Sequence, residues 1–204
     1  MRLIRMFFSA MVLTFLATAS AQAVSVGYTL NLSGNVNVPT VKLTNDSSSD
    51  LITAFSMTIG RLDKNFDAAY LEVPPPGVFS ANLVTPDANS GGGARSNIVT
   101  YDPFVGFDPG ETFQFGADVD KDHSDSVENY KTVLFNNGVH PNSVITVTFS
   151  GGTILSQTLP DEGIKSSYTF SQSQSQVIPE PSTFILLGFG LLGMAGYARK
   201  RMKK

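Results

Sequence analysis

Apolar and polar residues alternate through most of this chain, and a period of two is the signature of half-buried strands, not helices. In VSVGYTLNLSGNVNV, Val24, Val26, Tyr28, Leu30, Leu32, Val36 and Val38 all fall on even positions. In LITAFSMTIG, Leu51, Phe55, Met57 and Ile59 fall on odd ones. Phe113, Phe115, Ala117 and Val119 alternate with Thr112, Gln114, Gly116 and Asp118, and Ile145, Val147 and Phe149 with Thr146 and Thr148. Shorter strand candidates are Val41–Thr44, Ala69–Val73, Val78–Val84, Ile98–Tyr101, Tyr130–Phe135, Thr153–Leu159 and Ile164–Phe170. Turn chemistry separates them at Asp108-Pro109-Gly110, Asn136-Asn137-Gly138, Gly151-Gly152 and Asp161-Glu162-Gly163. Residues 85–97 and the Pro74-Pro75-Pro76-Gly77 break read as loops, and no helix of convincing length is foreseen between Val24 and Phe170. The expected fold is all-β: an antiparallel sandwich of the immunoglobulin or jelly-roll kind over residues 24–170.

The composition narrows the chemistry. The chain has no Cys, no Trp and two His, which removes disulfides, thiolate metal sites and Cys nucleophiles together. Residues 24–178 carry seven Lys and Arg against sixteen Asp and Glu, nine negative charges in excess. Phosphate binding needs clustered cations, so nucleic acid is not an expected partner. The remaining positive charge stands at the two ends.

At the first end, Arg2 and Arg5 precede the twelve apolar residues Met6–Ala17, and Ala21-Gln22-Ala23 follows. A basic start, a short apolar run and a small-x-small site make a secretory signal peptide, residues 1–23, with signal peptidase expected to cut after Ala23 at the Ala21/Ala23 site. At the second end, fifteen residues without charge, Phe184–Ala198, are followed by Arg199, Lys200, Arg201, Lys203 and Lys204. A helix of that length spans about 22 Å against a hydrocarbon core of about 30 Å, so it is a short transmembrane helix. The basic tail, 199–204, should stay cytoplasmic and keep the body outside. Residues 171–178 begin with Ser-Gln-Ser-Gln-Ser-Gln and read as a polar linker.

Pro179-Glu180-Pro181 stands directly before the apolar run. The two prolines fix φ and push the residues before them to extended geometry, the conformation in which proteases bind substrates. Pro-Glu-Pro, a Leu/Gly-rich apolar stretch and a terminal basic cluster together resemble the PEP-CTERM sorting signal of Gram-negative bacteria, over residues 179–204. The resemblance implies that exosortase, a membrane protease-transpeptidase, reads Pro179, Glu180 and Pro181, removes the anchor and passes the body outward. It also implies bacteria that make exopolysaccharide and biofilm matrix.

Within the body, Asp118, Asp120, Asp122 and Asp125 form an acidic run whose D-x-D-x-D spacing could serve calcium. His123 stands where an EF-hand needs Gly, and a solvated acidic turn is the favoured reading. Tyr28, Tyr70, Tyr101, Tyr130 and Tyr168 could form a sugar-stacking platform, although Tyr on strands is more often half-buried core. No G-x-S-x-G or H-E-x-x-H motif occurs. The expectation is an exported, non-enzymatic surface or matrix protein without a cofactor, held transiently in the inner membrane with its body in the periplasm, then sorted by exosortase and associated with exopolysaccharide. The alternatives are an adhesive module that binds carbohydrate or calcium, and an enzyme acting on matrix polymer.

Overall fold

A computed structural model describes residues 23–34, 36–61, 63–85, 96–121, 127–135, 139–177, 188–194, 199 and 201. It divides into two units, and Ser25–Ser175 forms the larger one. Among the described residues the strands are β1 (Ala23–Gly34), β2 (Pro39–Asn45), β3 (Ile52–Thr58), β4 (Lys64–Val73), β5 (Ser80–Thr85), β6 (Ile98–Val105), β7 (Thr112–Lys121), β8 (Val144–Phe149), β9 (Ile154–Thr158) and β10 (Ser167–Val177). One sheet has the order β10-β1-β2-β7-β4 and the other β5-β6-β3-β8-β9. The pairs β1–β2, β2–β7, β4–β7, β3–β6, β3–β8, β5–β6 and β8–β9 are all antiparallel. The all-β sandwich expected from the alternation is what the body forms.

The stripes meet face to face. Val26, Tyr28, Leu30 and Leu32 of β1, Val41 and Leu43 of β2 and Phe113, Phe115, Ala117 and Val119 of β7 are buried on one side. Phe55 and Met57 of β3, Val99 and Tyr101 of β6 and Ile145, Val147 and Phe149 of β8 are buried on the other. Phe115 bridges the sheets, with its ring centroid 5.7 Å from Phe55 and 4.9 Å from Tyr101. Edge-on and tilted ring pairs of this kind add about 0.5–1.5 kcal/mol each beyond area burial, so rings supply the core cohesion that disulfides often give exported domains.

Three expectations give way to the structure. The even-position stripe of β1 stops at Gly34, which turns the chain at φ +93°, and Val36 is left exposed. The odd-position stripe of β3 is broken by a bulge between Ile52 and Ala54, so that even-numbered Ile52 and odd-numbered Phe55 both reach the core. Tyr130–Phe135, read as a strand, contains a short helix, α1 (Tyr130–Leu134). Asn129 caps it by accepting from the Lys131 amide at 3.1 Å, a local bond that competes with extended backbone. Tyr130, Val133 and Leu134 of α1 are buried.

A fourth difference concerns residues 171–177. The Ser/Gln run expected as a linker is the second half of β10. Its polar side chains suit a strand because the residues that must be apolar, Tyr168 and Phe170, lie in the first half and are buried. The Asn31 amide donates to Thr169 Oγ1 and the Tyr28 hydroxyl to Gln172 Oε1. As β1 numbers rise β10 numbers fall, so the two strands run in opposite directions.

In the smaller unit, residues 188–194 are helical. Phe189, Leu191, Leu192 and Met194 are exposed. These residues are the middle of the expected membrane helix, and its flanks, 184–187 and 195–198, lie outside the described residues. Among the described residues no helix is long and apolar enough to cross a membrane.

Candidate sorting and processing sites

β1 opens at Ala23, the last residue of the expected signal peptide, so the chain enters the sheet with no slack after the expected cleavage site. The first residues are held at once. The Ser25 amide donates to Ser48 Oγ at 3.1 Å, the Ser48 amide to the Ser25 carbonyl at 2.9 Å and the Asp46 amide to the Gly27 carbonyl at 2.9 Å. Gly27 lies against Ser173 of β10 so closely that a Cβ on it would stand 2.9 Å from the Ser173 Cβ. The register of Gly27 with Ser173 and of Asn31 with Thr169 carries Ser25 to the level of Ser175. The beginning and the end of the body therefore lie side by side on neighbouring strands. Extended backbone runs to Val177, and Pro179 biases Ile178 toward the same geometry.

Of the expected sorting residues, Pro179, Glu180 and Pro181 lie outside the described residues, as do Ala21, Lys200, Lys203 and Lys204. Arg199 and Arg201 are helical and exposed.

The acidic run is a set of braces at the end of β7. Asp118 Oδ1 accepts from the Asn37 amide at 2.5 Å. The same Asn37 accepts from the Glu128 amide at 2.9 Å through its side chain and from the Val119 amide at 3.1 Å through its carbonyl. Asp120 is 4% exposed, opposite Asn65 of β4, so it does not stand on an open solvent face as the alternation implied. The neighbouring strand β4 and the Lys64–Glu128 ion pair, 2.7 Å long, explain that burial of the strand end. Asp122 and Asp125 lie outside the described residues. Among the described residues no three His, Cys, Asp or Glu converge as metal ligands. Asn37 and Lys64 were not visible in the sequence as parts of this cluster. Their partners lie far along the chain, and only the β2–β7 and β4–β7 pairings bring them together.

The tyrosines belong to the interior. Tyr28, Tyr101, Tyr130 and Tyr168 are at most 3% exposed, and the side chain of Tyr70 lies outside the described residues. Burial pushes the Tyr28 hydroxyl up to about 12. It raises Tyr101 and Tyr130 too, with the Glu72 carboxylate adding to the effect at Tyr101 and Tyr168 at Tyr130. Tyr168 is tied to its own loop, donating to the Gly163 carbonyl and accepting from the Lys165 amide, both at 2.9 Å. Four rings are thus built into the core, the reading favoured for tyrosines on strands, and do not form the alternative sugar-stacking platform.

Against this body, whose described polar groups brace strands and turns, the last stretch of the chain stands apart. Residues 177–201 match the family model of the PEP-CTERM protein-sorting motif. This chain carries a PEP-CTERM sorting motif. The match takes in the Pro-Glu-Pro tripeptide, the apolar run and the first cations of the basic tail. A PEP-CTERM motif implies export, a membrane-anchored precursor and exosortase as the processing partner. Comparison with curated proteins and with solved structures finds no match.

Proposed function

We propose that this chain is an exported, non-enzymatic surface protein whose β-sandwich is its cargo and whose C-terminus is a temporary address. The PEP-CTERM motif at residues 177–201 carries this reading. After removal of residues 1–23, the precursor sits in the inner membrane with its body in the periplasm and its basic tail in the cytoplasm. Exosortase then acts at Pro179-Glu180-Pro181, and the body passes to the cell surface and associates with exopolysaccharide or biofilm matrix. The poor quality of the anchor supports its being temporary. Fifteen apolar residues, four of them Gly, are a weak helix that spans less than a bilayer. The non-enzymatic reading is supported by how the body uses its polar groups: Asp118 holds Asn37, Glu128 holds Lys64 and Asp46 accepts from Thr29 at 2.6 Å.

The test replaces Pro179, Glu180 and Pro181 together by Ala in the native host. The apolar run and basic tail are untouched, so insertion should persist. Immunoblots of membrane and external fractions should show full-length protein accumulating in the inner membrane and the shorter external form lost. Release as efficient as wild type would overturn the reading. Depolymerising the matrix polysaccharide should move the wild-type external form from the cell-associated to the free fraction. An unchanged distribution would remove the polysaccharide part of the proposal alone.

A further inference from the structure

A sheet edge offers unpaired backbone groups to any other strand, and folded proteins blunt such edges with charge, bulges, proline, short length or a covering segment. Three of the four edges here are blunted in these ways. β4 carries Lys64 and Glu72, has register breaks between Phe66 and Ala68 and between Tyr70 and Val73, and is bridged by Ser96 at Phe66. β5 has register breaks between Ala81 and Leu83 and between Leu83 and Thr85. β9 is five residues long, is followed by Pro160, and has its Ser156 carbonyl taken by the Gln172 amide at 3.4 Å.

Among the described residues β10 has none of these devices. It is eleven residues long, contains no charged residue and no Pro, and its backbone ladder is on one side only, with β1, while its Gln172 side chain reaches the Ser156 carbonyl of β9. Its side chains on the face away from the core are Ser167, Thr169, Ser171, Ser173 and Ser175, all exposed. We infer that the outer edge of β10 is a pairing surface for the β10 of a second copy of this chain, joining two five-stranded sheets into one of ten strands.

Two observations select a second copy as the partner. The first is charge. The body carries nine negative charges in excess, so two copies repel over most of their surfaces. Along the uncharged β10 they can approach closely. The second is self-complementarity. Ser-Gln-Ser-Gln-Ser-Gln keeps its alternation when read backwards. An antiparallel two-fold pairing that keeps both core faces on one side sets Ser opposite Ser and Gln opposite Gln. Gln side chains both donate and accept, so such a ladder satisfies itself without a counter-charge. The interface is isologous, as closed dimers require.

The test uses full-length protein in detergent. Sedimentation should show a concentration-dependent dimer. Ser171→Lys and Ser173→Lys, whose side chains point outward, should leave the melting temperature of the dilute monomer unchanged and raise the dimer dissociation constant by roughly tenfold, through like charges set opposite each other. Ser80→Lys, on the blunted β5 edge, should leave the constant unchanged. Because the chain has no Cys, single Cys variants report the register: among Ser171→Cys, Ser173→Cys and Ser175→Cys, the one nearest the two-fold axis should give a disulfide-linked dimer, and Ser80→Cys should not. A monomer at all concentrations, or a dimer that the Lys variants leave intact, would overturn the inference. Neither result bears on the sorting motif, which all these variants keep.

Discussion

Asn45 shows how much a single polar side chain can organise in this body. It is fully buried at the end of β2. Its amide donates to the Asp50 carbonyl at 2.8 Å and the Phe107 carbonyl at 3.0 Å, and its Oδ1 accepts from the Ser47 amide at 3.0 Å. Its backbone carbonyl takes the Gly110 amide at 2.7 Å. One residue therefore ties the β2–β3 turn to the loop between β6 and β7. Asn45→Ala would take the donor from the Asp50 carbonyl and the acceptor from the Ser47 amide, while the Phe107 carbonyl keeps the Ile52 amide at 3.1 Å, and should lower unfolding free energy by about 2–3 kcal/mol. Asp46→Ala, at the exposed neighbour, should cost under about 1 kcal/mol; urea denaturation of the two variants makes the comparison. Tyr28 supplies a pH dependence. Its folded pKa of about 12 lies above the ordinary value of 10.0, so in that window the folded chain holds a proton that the unfolded chain has released. Its contribution to stability is complete below pH 10 and is lost as pH rises toward 12. The wild-type melting temperature should fall across that interval. Tyr28→Phe should fall less steeply, provided thermal melts at each pH are compared at equal ionic strength. None of this was legible from composition. The tyrosines were read as half-buried core before a surface platform, but no core role was foreseen for Asn45, because a sequence does not show which carbonyls a turn will leave in need of a donor.

Elements were more legible than their ends. Wherever strict alternation ran for five residues or more, as in Phe113–Val119 or Ile145–Phe149, a strand with the expected buried face is present. The misreadings fell where a local device overrides the period: Gly34 at the end of β1, the bulge in β3, the Asn129 cap that turns a strand candidate into α1. The Ser/Gln half of β10 was missed for another reason. Its alternation carries no hydrophobic signal, and its strand state comes from pairing with β1, whose partnership lies at the far end of the chain. Close packing between elements also escapes sequence. At Gly60, just beyond β3, a Cβ would stand 1.7 Å from the Pro141 carbonyl oxygen. Gly60→Ala should force the approach to β8 apart and cost about 1–3 kcal/mol. Gly163→Ala, where nothing lies within 4 Å, should stay within about 0.5 kcal/mol of wild type. Chemical denaturation would separate the two, and equal stabilities would mean that the Gly60 contact is not closely packed.

For the molecule as a whole, the C-terminal Pro-Glu-Pro, apolar run and basic cluster carried the resemblance to the sorting motif, and the alternation of the central residues announced the sandwich. The adjacency of β1 and β10 could not be read from either. Because β1 begins at Ala23, the expected cut after that residue leaves Val24 as the first residue, already beside the bonded Ser25. Mass spectrometry of the processed protein should find Val24 at the N-terminus, and Ala23→Tyr should leave the leader attached. A start several residues downstream would strip β1 of its hold on Ser48. The same adjacency sets a clock. Tyr28 and Gln172, 144 positions apart, meet across neighbouring strands, so the pairing that completes this sheet closes the longest loop in the body and is among its slowest steps. On the proposed function, β1 leaves the export channel first and waits, one flank bare, until β10 follows almost at the end of translocation, and the C-terminal anchor acts as a timer as well as an address, holding the body at the membrane until the first strand has met the last.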